Sequence, residues 1–249
     1  MLNIVYQEKL QGKRKYNQDA LLIKCFDNGD KLLAVADGMG GGVLGAELAQ
    51  RAMDELDTIF YAPVRFPHGD LRDAVCKINT VLKEMLYVYD IKTRKESEIQ
   101  KGGTTLCVTY YSEKKKKITY LNIGDSRISI CGKKELKSLS VDQNKYEEAK
   151  LKGEIAEEKN RRFVKIVLGI STNREIDEVL DNEQWAATGQ HVLTDTEDTI
   201  ILSTDGFHDY IKEENFCIDL HRDFPTLLDK VKKESSDNIT VIVAKVTSC

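Results

Sequence analysis

Residues Lys31 to Gly45 read KLLAVADGMGGGVLG, and the rest of the chain is organised around them. The run Leu32 to Ala36 is short, apolar and uninterrupted, which predicts a fully buried strand, and Asp37 puts a carboxylate at its end. Gly38, Gly40, Gly41 and Gly42 follow. They can reach positive φ and leave room above the backbone for an ion, a phosphate or another chain. From Val43 onward Ala46, Ala49, Met53, Leu56 and Phe60 recur at helical spacing, so the loop opens a helix. Strand, acid, glycine loop and helix together form a unit that builds a site.

Two enzymatic readings of that unit compete. Gly40, Gly42 and Gly45 match the G-x-G-x-x-G dinucleotide fingerprint of an oxidoreductase, with a strand before and a helix after. A run this rich in glycine meets the pattern easily, however, and a carboxylate ahead of the loop repels a pyrophosphate. The fingerprint also calls for an acid at the end of the next strand, whereas Asp57 falls inside the helix itself. The second reading makes Asp37 a metal ligand, and it needs further acids elsewhere in the chain.

The chain has 249 residues, which suits one large domain or two small ones and is enough to bury a sizeable core. Its formal charge of −4 is nearly balanced, so no global field argues for nucleic acid or an anionic membrane. Six cysteines show no C-x-x-C and no spacing with histidine, which predicts reduced thiols in a cytoplasmic protein. The N-terminal stretch has no apolar core like that of a signal peptide, and no later run approaches a membrane span. For His68, His191, His208 and His221 the expectation is ordinary packing or surface exposure.

Taken in order, the chain predicts an edge strand at Asn3 to Gln7, a basic turn containing Arg14, and a buried strand from Ala20 to Phe26 that leaves Asp19 at its edge. Asn28-Gly29-Asp30 is a hairpin turn. Residues 61 to 69 form a loop. A second helix carries the stripe Leu71, Val75, Ile78, Leu82, Met85 and Tyr89. Strands follow at Thr104 to Tyr111 and Ile118 to Ile123, joined by a lysine-rich tip, and then at Ile128 to Cys131, just after Gly124-Asp125. From Ser140 to Gln190 the pattern loosens into a charged helix, a short apolar piece and polar linkers. Order returns with the strand Thr199 to Thr204, which runs into Asp205 and Asp209. A helix around Thr226 to Lys233 and a strand from Ile239 to Val246 close the chain, with Asp237 ahead of that strand.

Five strand edges therefore deliver an aspartate: Asp19, Asp37, Asp125, Asp205 and Asp237, with Asp209 close behind the fourth. One aspartate beside a turn is an ordinary cap. Five on the rim of one packed sheet structure imply a shared site, and carboxylates placed side by side call for cations. An oxygen-only shell without His or Cys points to hard octahedral ions, Mg²⁺ or Mn²⁺.

The ordered motifs RKYNQDA (14–20), VADGMGG (35–41), GGTTLCV (102–108), NIGDSRI (122–128), STDGFHD (203–209) and SDNITVIV (236–243) resemble the series of the PPM, or PP2C-like, metal-dependent protein serine/threonine phosphatases in their bacterial form. The likeness spans nearly the whole chain. It implies an α+β fold, the four-layer α-β-β-α sandwich, with residues 1–249 as a single domain and a variable flap-like segment at about 140–190. It implies that Asp37 bridges two metals, Mn²⁺ or Mg²⁺, with the Gly38 carbonyl completing one shell. Asp205 and Asp237 would bind the second metal, Asp19 would hold metal-bound water, and Arg14 would clamp the substrate phosphate. Asp125 and Asp209, with Asp205, match a third, weaker metal site.

The implied reaction is hydrolysis of phosphoserine or phosphothreonine by a hydroxide bridging two ions ~4 Å apart, without a protein nucleophile. The expected partners are phosphorylated proteins, the substrates of a Ser/Thr kinase, and the expected state is a monomer bound to neither nucleic acid nor membrane. Two departures stand out. Gln18 occupies a position where many members have Glu, and Met39 one where animal members have a His proposed as general acid. A catalytically weak binding or regulatory module is the alternative within the same fold, and its signature, a lost metal aspartate, is absent.

Overall fold

The computed structural model describes residues 1–40, 43–61, 69–93, 102–132, 135–169, 176–193, 198–211 and 213–247. Gly41 and Gly42, most of the expected loop at 61–69, His68 and Cys249 fall outside them, as do the side chains of Tyr89 and His221.

The strands are β1 (Leu2–Leu10), β2 (Asp19–Cys25), β3 (Lys31–Met39), β4 (Gly103–Thr104), β5 (Leu106–Ser112), β6 (Lys117–Ile123), β7 (Arg127–Cys131), β8 (Leu136–Ser138), β9 (Thr188–Val192), β10 (Thr199–Ser203) and β11 (Ile239–Val246). The helices are α1 (Leu44–Ile59), α2 (Gly69–Thr93), α3 (Lys145–Leu151), α4 (Ile176–Asp181), α5 (Asp205–His208) and α6 (Glu213–Glu234). One antiparallel sheet has the order β1-β11-β10-β7-β8, the other β2-β3-β5-β6-β9, and β4 adds to the end of β3.

Alternation along β3 shows why the layers stack. Leu33 and Val35 face Ile128, Ile200, Leu202 and Ile242 of the other sheet, filling the space between the sheets. Leu32, Ala34 and Ala36 face the opposite way, onto Leu48, Ala52 and Leu56 of α1 and Val75, Ile78 and Leu82 of α2. Both faces of β3 are thus covered, and its apolar run needs no polar alternation. On the far side Ile201, Val241 and Val243 pack against Phe216, Phe224, Leu228 and Val231 of α6. The result is the expected four-layer α-β-β-α sandwich.

Several expectations need correction. Asp37 does not end its strand, because β3 continues through Gly38 and Met39 by pairing with Gly103 and Thr104. Ala46 is only partly buried, and the stripe of α2 ends on Leu86, since a 3.6-residue period drifts around the helix over several turns. The closing helix begins earlier, at Glu213, and bends at Asp223, whose side chain caps its second half by accepting from Thr226 N at 3.3 Å and Thr226 Oγ1 at 2.5 Å. Pro225 sits in the first turn after the bend, where its missing N–H has no helical acceptor to lose.

Strand β9, at the end of the loosely patterned segment, and the three-residue β8 just ahead of that segment were not legible in the sequence. The thiols are not all free: Cys131 on β7 and Cys217 on α6 form a disulfide, with Cα atoms 5.6 Å apart, while Cys25, Cys76 and Cys107 are free. The two partners are 86 residues apart in the chain, so no local spacing announces the pair.

Candidate metal centre

The site lies at one end of the sandwich, where both sheets deliver carboxylates to a common rim. Asp19, the first residue of β2, stands opposite Asp37 of β3 in the antiparallel register. Asp205 follows β10 as the first residue of α5, and Asp237 precedes β11. Asp125 lies between β6 and β7.

Backbone contacts fix Asp37. Its N–H donates to Thr105 Oγ1 at 2.8 Å, and its carbonyl accepts from Thr105 N at 2.9 Å and Thr104 Oγ1 at 3.0 Å. Thr105 Oγ1 also shares a hydrogen bond with Ser126 Oγ at 2.8 Å, tying Asp37 to the loop that carries Asp125. Asp19 Oδ2 accepts from Thr204 Oγ1 at 2.9 Å, which links the first residue of one sheet to the end of β10 in the other. Asn238 anchors the Arg14 loop: it accepts from Gln18 N at 2.9 Å and donates to the carbonyls of Gln11 at 2.7 Å and Tyr16 at 2.9 Å.

The glycines answer to packing. A Cβ on Gly38 would lie 2.0 Å from the Gly45 carbonyl oxygen, and one on Gly206 would lie 1.8 Å from that of Asn238. The first contact seats the start of α1 on the end of β3; the second seats α5 on the chain entering β11. Gly38 and Gly45 therefore serve chain-on-chain approach, and the dinucleotide reading loses its structural reason.

Electrostatics mark the rim as strongly anionic. Burial, with the Asp237 charge after it, pushes Asp19 up to about 6, against the pull of the Thr240 and Thr204 hydroxyls and of Lys9. Burial, with the charges of Asp237, Asp209 and Asp19 after it, pushes Asp205 up to about 7. Asp37 rises well above the carboxylate range from burial and from Asp19, Asp205, Asp125 and Asp237, in that order. Asp125 does likewise from burial and from Asp205, Asp142 and Asp209. Asp209, more exposed at the mouth, is raised mainly by burial.

The rim accordingly brings together Asp19, Asp37, Asp125, Asp205, Asp209 and Asp237. It does not close them around one point: among the described residues no three His, Cys, Asp or Glu side chains stand at metal-holding distance. Lys9, Arg127 and Arg14 stand near its edge, and carboxylates this close repel one another unless a cation neutralises them. Arg14 Nη2 donates to Asp237 Oδ2 at 2.5 Å, so the expected phosphate clamp rests on an expected metal ligand.

A divalent cation fits this donor set. Among the described residues Asp19 Oδ1 and Asp205 Oδ1 are buried with no hydrogen-bond partner, and two such oxygens call for a cation or its water. All donors are oxygens, as hard ions prefer. Gln18 uses its amide N–H on the Gly40 carbonyl at 2.8 Å, which supports the glycine loop.

Sequence reasoning missed Asp142. It is buried within the loosely patterned segment and takes two hydrogen bonds from Arg127, at 2.7 and 2.6 Å, while its charge also acts on Asp125. Arg127, two residues after Asp125, is thus engaged by Asp142. Thr204 and Asn238 were missed as well, although each adjoins an aspartate inside a motif. His208 is buried, with Nδ1 3.1 Å from Ser203 Oγ, a packing role as expected.

Comparison with known proteins agrees with this arrangement. The serine/threonine protein phosphatase PstP of Mycobacterium tuberculosis is 25% identical over 233 residues, covering 88% of this chain and 41% of that protein, so the chain spans less than half of that relative's length. The serine/threonine phosphatase stp of Listeria welshimeri is 25% identical over 240 residues, covering 88% of this chain and 87% of that one. The crystal structure of the PstP catalytic domain in complex with two manganese ions superposes with a TM-score of 0.77 at 21% identity, covering all of both chains, which shows the fold. The Protein phosphatase 2C family model matches residues 10–240, and the chain belongs to that family.

Proposed function

We propose that the chain is a metal-dependent phosphoprotein phosphatase acting on phosphoserine and phosphothreonine. The observation that carries this reading is the rim itself: carboxylates from both sheets, two of them with buried oxygens unpartnered among the described residues, beside the half-exposed guanidinium of Arg14. Names of the relatives, and the two manganese ions in the PstP structure, support it.

Asp37, with the Gly38 carbonyl, Asp205 and Asp237 would hold a pair of ions, Mn²⁺ or Mg²⁺, and Asp19 would orient their water. Asp125, Asp209 and Asp205 would hold a third, weaker ion. The chemistry such ions supply is acidification of water and neutralisation of charge on the phosphate. Arg14 presents a planar fork matched to two phosphate oxygens, and substrate phosphate would compete with Asp237 for it. Met39 carries no proton to give, so the leaving alkoxide takes its proton from water rather than from a side chain at that position.

Residues 1–249 act as one catalytic unit, with the segment at about 140–190 as its substrate-facing flap; the reach of Asp142 to the site supports this. The substrates are products of a Ser/Thr kinase, and the enzyme works as a cytoplasmic monomer, which gel filtration checks. Turnover of p-nitrophenyl phosphate with and without Mn²⁺ tests the main reading. We expect turnover with Mn²⁺ and none with EDTA or in Asp37→Asn. Wild-type turnover in Asp37→Asn, with circular dichroism unchanged, overturns it.

A further inference from the structure

Beside the rim a groove of about 730 Å³ runs between α1 and α2. Its inner end is formed by Asp19 and Lys9, so it opens directly onto the carboxylate site. Its α2 wall is apolar, made by Val81, Met85 and the half-exposed Val88, side chains one and two turns apart on a single helix face. Carboxylates line it as well: Glu47 and Asp54 from α1, and Glu84 from α2. The guanidinium of Arg51 on the same wall is answered by Glu55 at 2.6 Å, which leaves that stretch acidic.

We propose that this groove holds the substrate polypeptide beside the phosphorylated residue and selects lysine or arginine there. The inference rests on the phosphatase reading above. Its charge suits such a ligand: Lys9 stands by Asp19 of the carboxylate site, and Glu47, Asp54 and Glu84 offer three carboxylates to basic flanking residues. Long basic side chains suit the apolar wall too, since their methylene stems cover Val88 and Met85 while the charged heads reach the carboxylates. From Glu47 to Asp54 the helix rises about 10 Å. That length takes about three residues of extended chain. The groove therefore reads a short flank on one side of the phosphosite.

The test uses two phosphothreonine peptides that differ only in the three residues on each side of the phosphosite, lysine in one and glutamate in the other, with p-nitrophenyl phosphate as a substrate that has no flank. With Mn²⁺ the wild-type enzyme should prefer the lysine peptide by about tenfold or more in kcat/KM. The double variant Glu47→Lys, Glu84→Lys should reverse that preference, and Val88→Asp should raise KM for both peptides. All three proteins should turn over p-nitrophenyl phosphate within about twofold of one another, which also reports that the variants fold. A peptide preference unchanged in the double variant, with p-nitrophenyl phosphate turnover intact, overturns the groove. Absence of any p-nitrophenyl phosphate turnover in the wild type overturns the phosphatase reading and this inference with it.

Discussion

Single aspartates in this rim are held at a cost to the fold. Asp205 keeps its proton up to about pH 7 in the folded chain, while in the unfolded chain it loses it near 3.8. Between those values folding takes up protons, so its contribution turns against the native state as pH rises through that window. In EDTA, Asp205→Asn should therefore melt higher than the wild type, by roughly 3–8 °C near pH 8, with the gap closing toward pH 4. With Mn²⁺ the order should invert, because the variant lacks a ligand charge. Thermal melts across pH, with and without Mn²⁺, check both halves, and a gap independent of pH rejects the electrostatic account. Arg14 gives a second residue-level expectation. Its contact with Asp237 competes with metal as well as with phosphate, so Arg14→Ala should raise KM for a phosphopeptide by about tenfold and leave Mn²⁺ binding equal or tighter. Calorimetry of Mn²⁺ binding decides it: weaker metal with normal phosphopeptide KM removes Arg14 from the substrate side.

At the scale of elements, the turn from β3 into α1 shows what could be read in the chain and what could not. The strand, the acid and the following helix were all visible as period and composition. The use of the glycines was not, because a close approach between Gly38 and Gly45 is a fact of two backbones and leaves no pattern in side chains. A methyl group at Gly38 would meet the Gly45 carbonyl oxygen at 2.0 Å, and backbone cannot move aside as a flexible side chain does. Gly38→Ala should cost about 2 kcal/mol or more, lowering Tm by roughly 4–8 °C and turnover along with it. A wild-type Tm in that variant, read by calorimetry in EDTA, means α1 is not seated by this contact. The same limit explains Asp142 and the kink in α6. Asp142 lies in a segment without periodicity and pairs with Arg127, which begins β7, fifteen residues earlier in the chain. Asp223 and Pro225 announce a helix start, yet Phe216, Cys217 and Leu220 extend helix upstream because β10 and β11 offer an apolar face to cover.

The whole molecule is organised so that its two sheets meet at the rim. Asp19 and Asp37 come from one, Asp205 and Asp237 from the other, and the bond from Thr204 to Asp19 is a direct protein link between them. This much was legible as ordered motifs, because each aspartate adjoins the end of a buried strand or a turn, Asp37 standing two residues before the end of β3. The pairing of Cys131 with Cys217 was not, since only the packing of α6 on the sheet brings the two together. A cation at the rim would join the sheets, so binding should appear as global stability: at one hundred times Kd it adds about 2.7 kcal/mol. For a chain of this length that is a rise in Tm of roughly 5–11 °C. Asp125 separates the shared pair from the outer site. It is buried, which raises it together with the charges of Asp205, Asp142 and Asp209, and its own charge acts on Asp37 less than those of Asp19 and Asp205 do. Asp125→Ala should therefore retain most of the Mn²⁺-induced rise in Tm and keep two ions in anomalous diffraction, while the third disappears and turnover falls about tenfold or more. Full turnover with unchanged occupancy would reject the third site, and loss of all three ions would mean that the rim binds its metals as one unit.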